Sequence, residues 1–162
     1  MVAMFLNLPL HVRDLTAADL DEIAWAGGPT HRRYVAEALA RCPVEVEYLT
    51  VCGPADLPLA LGGIDYVARV GVATIWQLMT VPALRSGGLG TLLIGALEAR
   101  AAGRGVTRVG LSVEVTNPRA HILYDRLGYQ GVELEDVSWD TDTGLYSTRC
   151  VVMTKDLSLP AS

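Results

Sequence analysis

The residues best suited to chemistry in this 162-residue chain are Val81-Pro82-Ala83-Leu84-Arg85-Ser86-Gly87-Gly88-Leu89-Gly90. They follow a strand-like run, Ala73 to Val81, and open a helix-like run, Leu89 to Ala101. A strand, then glycines, then a helix start is a place to bind phosphate. Glycines let the backbone bend and approach a ligand closely. The free N–H groups at a helix N-terminus point at an anion, and the helix dipole favours negative charge there. Arg85 can add a charge-assisted bond at the rim. The spacing is R-x-x-G-x-G. It contains no G-x-x-x-x-G-K-[ST] and no G-x-G-x-x-G with an acidic partner downstream, which disfavours a nucleotide-binding domain. On the loop alone, a cradle for a pyrophosphate and a plain tight connection are served equally well.

A second segment separates the two. Residues 108–129 give a β-rich run, then Asn117-Pro118, then a short helix containing Tyr124, then a stop at Gly128. Asn117 is a good N-cap with Pro118 at the first helical position, and Gly128 suits a left-handed helix end. The pattern V-P-x-x-R-x-x-G-x-G-x-x-L-(I/L), followed about 25 residues later by N-x-x-A-x-x-L-Y-x-x-L-G-(Y/F), is specific in combination. Together these segments resemble the GNAT superfamily of acyl-CoA-dependent N-acetyltransferases. The resemblance is firm over roughly residues 72–130 and weakest over the first 50 or so.

That resemblance implies an α/β fold of GNAT type: a central mixed sheet of six to seven strands flanked by about four helices, in one domain spanning residues 1–162. It implies that the strands before the cradle and after the crossover splay apart, with the pantetheine arm of acetyl-CoA entering the gap as a pseudo-strand. Backbone groups of Leu78, Met79, Thr80 and Val81 map onto that arm. Arg85, Ser86, Gly87, Gly88, Leu89, Gly90 and Thr91 map onto the pyrophosphate cradle. Asn117 maps onto an Asn that bonds the pantetheine amide, and it serves equally as an N-cap.

Tyr124 is the expected general acid, placed to protonate the departing sulfur; an aromatic there can also simply pack in the core. Glu114 is the candidate base, on the strand after the crossover. Strand parity puts Ser112 and Glu114 on one face and Leu111, Val113 and Val115 on the other. Some relatives carry their Glu at the position of Ser112, and a surface carboxylate is an equal reading of Glu114. Gln77 can orient a substrate but cannot act as a base. Trp25, His31 and Trp139, with Tyr34 and Tyr146, are candidates to line an acceptor pocket, or else core aromatics. No cysteine falls in the matched motifs, which fits direct acetyl transfer to a primary amine without an acyl-enzyme. The alternative is a non-catalytic module of the same fold that binds or senses acyl-CoA.

The elements that must hold these residues read in order along the chain. Leu10 to Leu15 alternates as a strand. Thr16 opens a helix over Ala17 to Ala26, broken by Gly27-Gly28-Pro29. Thr30 caps a second helix to about Arg41. Val46 to Cys52, Leu59 to Val67 and Ala73 to Val81 form an antiparallel meander. Leu89, Leu92, Leu93, Ala96 and Leu97 mark one face of the third helix. Val106 to Val115 follows as a strand parallel to the one before the cradle, because a strand–helix–strand crossover is right-handed. Helix 118–127 and the strands Val132 to Trp139 and Tyr146 to Lys155 close the chain.

Composition sets outer limits. The hydrophobic content is 51%, yet no apolar run reaches the length of a membrane helix. Met1 to Leu10 lacks the basic start and cleavage site of a signal peptide. Three widely spaced cysteines, Cys42, Cys52 and Cys150, point to a reducing cytoplasm rather than a disulfide framework. His11, His31 and His121 have no metal-ligand spacing, and no metal is expected. A net charge of −5 argues against nucleic-acid binding and mildly favours a cationic acceptor, either a small-molecule amine or a protein amine. The resemblance also allows a homodimer.

Overall fold

The computed structural model describes residues 7–158; the first six residues of the apolar N-terminal run lie outside them. Seven strands form one sheet: β1 His11–Asp14, β2 Val46–Cys52, β3 Pro58–Arg69, β4 Val72–Thr80, β5 Arg108–Glu114, β6 Gln130–Thr141 and β7 Gly144–Asp156. Their order is β1-β2-β3-β4-β5-β7-β6. The first four form the antiparallel meander. The β3–β4 hairpin turns at Val70-Gly71, where Gly71 has φ +73°, a left-handed conformation that suits glycine.

Three α-helices pack on the sheet: α1 Pro29–Ala40, α2 Leu89–Gly103 and α3 Pro118–Arg126. The segment read as a helix over 17–26 instead folds as two 3-10 turns, Ala17–Asp19 and Ala24–Ala26. The cause is local. The carboxylate of Asp19 accepts two bonds from Arg13, each 2.8 Å, and others from the backbone N–H and hydroxyl of Thr16. Asp19 thus anchors this segment to β1, and a stretch of ten residues is too short to keep a helix against such competition. Thr30 is not the cap of α1. Gly28 is the N-cap, and the Thr30 N–H is taken by Asp142 Oδ1 at 2.9 Å from the β6–β7 turn.

Strand alternation divides the core into two. One face buries Leu49, Val51, Ile75, Val109, Leu111 and Val113 against Leu93, Ile94 and Leu97 of α2. The other buries Val46, Tyr48 and Leu61 against Val35 and Ala38 of α1. This is the periodicity expected of a sheet covered on both sides.

The pairing of β4 with β5 is parallel and short: Ala73 faces Val109 and Thr74 faces Gly110, and no later residues pair. Beyond that point β4 stays with β3 to Thr80, while β5 stays with β7 over its whole length. A register shift between Leu61 and Gly63 marks a bulge in β4, where Gln77 adopts φ +52°. Bulges bend a strand and increase its twist, and this one turns the end of β4 away from β5. The sheet is therefore split at its centre.

Leu97 is fully buried between α2 and the sheet. Leu97→Ala should destabilise the protein by about 2–5 kcal/mol, read as a lower urea midpoint at unchanged slope.

Candidate active site

The split opens into a cleft of about 710 Å³ walled by the end of β4, the loop after it, the start of α2, and α3. Leu78, Met79, Thr80, Arg85, Ser86, Gly88, Leu89, Gly90, Thr91, Asn117 and Tyr124 all line it. Val81 and Gly87 do not. Their N–H groups are spent inside the protein, Val81 on the Leu59 carbonyl at 2.9 Å and Gly87 on the Leu84 carbonyl at 3.2 Å. Because Val81 bonds toward β3, antiparallel alternation turns the backbone groups of Thr80 toward the open edge.

The start of α2 has geometry that suits an anion. Gly88 caps α2 with φ +88° and ψ 2°. Leu89, Gly90 and Thr91 occupy the first turn, where backbone N–H groups have no partner within the helix. Ser86, also left-handed at φ +68°, shapes the approach. A Cβ added at Gly88 or Gly90 would meet no protein atom within 4 Å. At Gly88 the backbone angle explains the glycine. At Gly90, inside a helix, nothing within the protein does, and glycine there weakens the helix.

Charge follows the same geometry. Among the described residues, nine of the twelve arginines and Lys155 are ion-paired to carboxylates. The three without an acidic partner are Arg85, Arg119 and Arg126, and all three line the cleft. Sequence reasoning found Arg85 and missed the other two. Their spacing of seven on one helix, which puts both on the same face, was the available signal.

Tyr124 of α3 is one wall of this cleft. Its ring meets Tyr129 edge-on, with centroids 6.1 Å apart. The two phenols differ in partners. Tyr129 donates to Glu98 at 2.8 Å, and Lys155 holds the same carboxylate at 2.9 and 3.0 Å. The Tyr124 hydroxyl has no partner among the described residues. Burial pushes the Tyr124 phenol above its ordinary value, so it keeps its proton at neutral pH. Asn117 acts as an N-cap, its Oδ1 accepting from the Ala120 N–H at 3.2 Å, and its side-chain amide has no partner among the described residues.

Glu114 does not line the cleft. It lies with Ser112 on the opposite sheet face, where its carboxylate accepts from the Tyr146 hydroxyl at 2.5 Å and Ser112 donates to Glu135 at 3.1 Å. Trp139 pairs with Tyr146 across the β6–β7 ribbon, with ring centroids 4.9 Å apart. Gln77 accepts from the Tyr48 hydroxyl at 3.0 Å on the same face. Trp25 packs against the α1 core. The indole N–H of Trp25 and Nε2 of His31 are buried without partners among the described residues, and burial depresses the His31 pKa. Tyr34 lies on α1, partly buried, with Arg33 over its ring at 5.3 Å. The β6–β7 turn bonded to the start of α1 brings these two groups of aromatics to one side of the sheet.

The strand register also places His11 opposite Cys52, with Asp56 beside both, an arrangement the sequence spacing did not show. There Asp56 Oδ1 already accepts from His11 at 2.8 Å and Arg13 at 2.9 Å. Among the described residues no helix is long and apolar enough to cross a membrane.

The model of the acetyltransferase (GNAT) family matches residues 58–129, which run from β3 through the cradle to Tyr129. At the level of sequence, no curated protein matches the chain. The fold is similar to that of the ribosomal-protein-S18-alanine N-acetyltransferase of Escherichia coli, at 19% identity and a TM-score of 0.75 over 95% of this chain and 97% of that one. It is also similar to a spermidine N-acetyltransferase chimera from Vibrio cholerae and hSSAT (16% identity, TM-score 0.71, 91% and 94% covered). A third similar fold is the PaiA N-acetyltransferase of Thermoplasma acidophilum in complex with coenzyme A (14%, 0.69, 92% and 99%).

The two cradle glycines should respond in opposite ways in the ligand-free protein. Gly90→Ala should raise stability by about 0.5–1 kcal/mol, through helix propensity. Gly88→Ala should lower it by about 1–2 kcal/mol, through its left-handed backbone. Urea unfolding of both variants checks the pair.

Proposed function

Because residues 58–129 match the model of the acetyltransferase (GNAT) family, we propose that the chain moves an acetyl group from acetyl-CoA directly to a primary amine, with Tyr124 as general acid. The observation that carries this reading is a Tyr124 side chain, its hydroxyl without a partner among the described residues, in the same cleft as the N-terminus of α2. The chemistry would reside in one domain spanning the chain, since the sheet draws strands from His11 to Asp156. The acceptor is a small-molecule amine or a protein amine.

The residues present fit the cofactor. Free N–H groups of Leu89, Gly90 and Thr91 suit the pyrophosphate, Gly90 leaves room for its close approach, and Arg85 faces it. The open edge of β4 at Thr80 and the Asn117 amide suit the amide-bearing arm. Acetyl-CoA supplies an activated acetyl thioester and a thiol leaving group.

The chain's own groups then have separate tasks. Backbone N–H groups on the open edge of β4 would polarise the acyl carbonyl, and such donors stabilise the charge that develops on oxygen. Tyr124 would hold its proton until negative charge forms on the neighbouring sulfur. A thiol is roughly 1–2 units more acidic than a free phenol in water. Burial raises the phenol further, but it also makes a thiolate in the same apolar cleft a stronger base, so transfer remains accessible. Glu114, on the sheet face shared with Gln77, Trp139 and Tyr146, would take the proton from the incoming ammonium, directly or through water. Trp25 and His31 would bound the acceptor side.

Calorimetry with acetyl-CoA should show micromolar binding that Gly88→Glu abolishes. Tyr124→Phe should keep that affinity and lose about 10²-fold or more in turnover on the responsive amine, as expected for removing a general acid. Wild-type turnover by Tyr124→Phe would refute the acid assignment.

A further inference from the structure

Away from the cleft, the fold brings together three side chains that acetyl transfer leaves unused. His11 and Cys52 stand opposite each other in the β1–β2 register. Directly opposed residues of antiparallel strands share one face of the sheet. Asp56 closes the 3-10 turn Pro54–Asp56 that follows β2 and comes back beside them. One ligand atom from each residue, an imidazole nitrogen, the Cys52 Sγ and a carboxylate oxygen, lies within 4.8 Å of the other two. A zinc ion held by S, N and O at ordinary bond lengths sets such atoms about 3.3–3.6 Å apart. His11 Nε2 and Asp56 Oδ1 are 2.8 Å apart, and both side chains are more than half exposed, so small rotations complete the set.

Packing does not explain the shape of that turn. Ala55 and Asp56 both hold left-handed backbone, with φ +57° and +58°, a conformation that is costly for residues with a Cβ. Both are exposed, so no apolar burial offsets the cost. What the strain secures is the position of the Asp56 carboxylate beside His11, Arg13 and Cys52.

Charge in the cluster balances around a divalent cation. Arg13 is matched by Asp19, whose carboxylate takes both of its terminal nitrogens at 2.8 Å. Only the Arg13 Nε reaches the Asp56 carboxylate, at Oδ1, and Oδ2 has no hydrogen bond among the described residues. Arg13 thus steadies the carboxylate, as the partners of metal ligands do. A Cys52 thiolate and the Asp56 carboxylate then offset two positive charges, with neutral His11 as the third ligand. A thiolate disfavours the hard ions magnesium and calcium, and Cys with His and Asp suits zinc.

We propose that His11, Cys52 and Asp56 form a zinc site, with water in the fourth position, that fastens β1 to the turn after β2. β1 is four residues long, lies at the edge of the sheet and pairs only with β2, so a metal cross-link there secures the weakest strand. β3 stands between this site and the strand that walls the cleft, so the zinc site is independent of the acetyl-CoA reading.

Titration of the reduced, chelator-treated full chain tests this, with Zn²⁺ followed by calorimetry and Co²⁺ by absorbance. One equivalent of zinc should bind with micromolar or tighter affinity and raise the thermal midpoint by mass action. Cobalt should give a thiolate-to-metal charge-transfer band, which Cys52→Ser should abolish. His11→Ala and Asp56→Asn alter exposed side chains and keep every cysteine. Each should weaken zinc binding by more than about tenfold, since even the partners of metal ligands are worth about 10–100-fold. Absence of zinc binding by the wild type would overturn the proposal. So would zinc affinity and a cobalt band undiminished in His11→Ala, which would assign the metal to Cys42 or Cys150 instead.

Discussion

The structure depends on an interruption: the two central strands part after two residue pairs. A parallel pair in mid-sheet normally satisfies both strands, and buried backbone groups left without partners are costly. Here the cost is contained because each strand is secured on its other edge. β3 holds β4 to its end, across the bulge at Gln77, and β7 holds β5 from Arg108 to Glu114. The Tyr129–Glu98–Lys155 network ties the end of α3, α2 and β7 together behind the gap. What remains unpaired is a short length of β4 facing a cleft, which an extended amide-bearing ligand can complete as a strand would.

Electrostatics work on two scales. The protein as a whole is acidic and repels an anionic ligand at long range. Within a Debye length the balance reverses, since carboxylates neutralise the cations elsewhere and leave those of the cleft unneutralised. Specific ion pairing away from the site is therefore part of how the site is made. On the other sheet face Asp142, held below the usual carboxylate range by the Thr30 backbone N–H and then its side chain, fastens the β6–β7 turn to the start of α1. That face of the sheet is thereby closed at one end, while the cleft on the other stays open.

Most of the fold was legible because each strand is bounded by turn chemistry and each long helix by a stripe of leucines and alanines. All seven strands and the parallel crossover follow from those signals, and the resemblance supplied the splay. The failures share a cause. Thr16 and Asp19 have the residue types of a helix start, but Arg13, distant in local pattern and adjacent in space, reorganises that segment. Thr30 reads as a cap until a residue 112 positions away takes its N–H. Gly87 and Val81 fit the motif, yet whether an N–H is free depends on where Leu84 and Leu59 place their carbonyls. Arg119 and Arg126 were visible as residues but not as unpaired charges, because pairing is decided by the whole fold.

Tyr124 and Tyr129 show what the sequence cannot separate and the packing can. They lie five apart, touch edge-on, and are both pushed up by burial. Burial and the Glu98 carboxylate strengthen the hold of Tyr129 on its proton, and Lys155 fixes that carboxylate, so Tyr129 is locked as a structural phenol. That lock also fixes the ring against which Tyr124 rests, limiting the positions open to the Tyr124 hydroxyl. A donor whose proton is uncommitted and whose position is restrained meets the two requirements of acid catalysis, protonation state and reach. In the proposed reaction the pair would divide the work accordingly, with Tyr129 giving rigidity and Tyr124 keeping the labile proton.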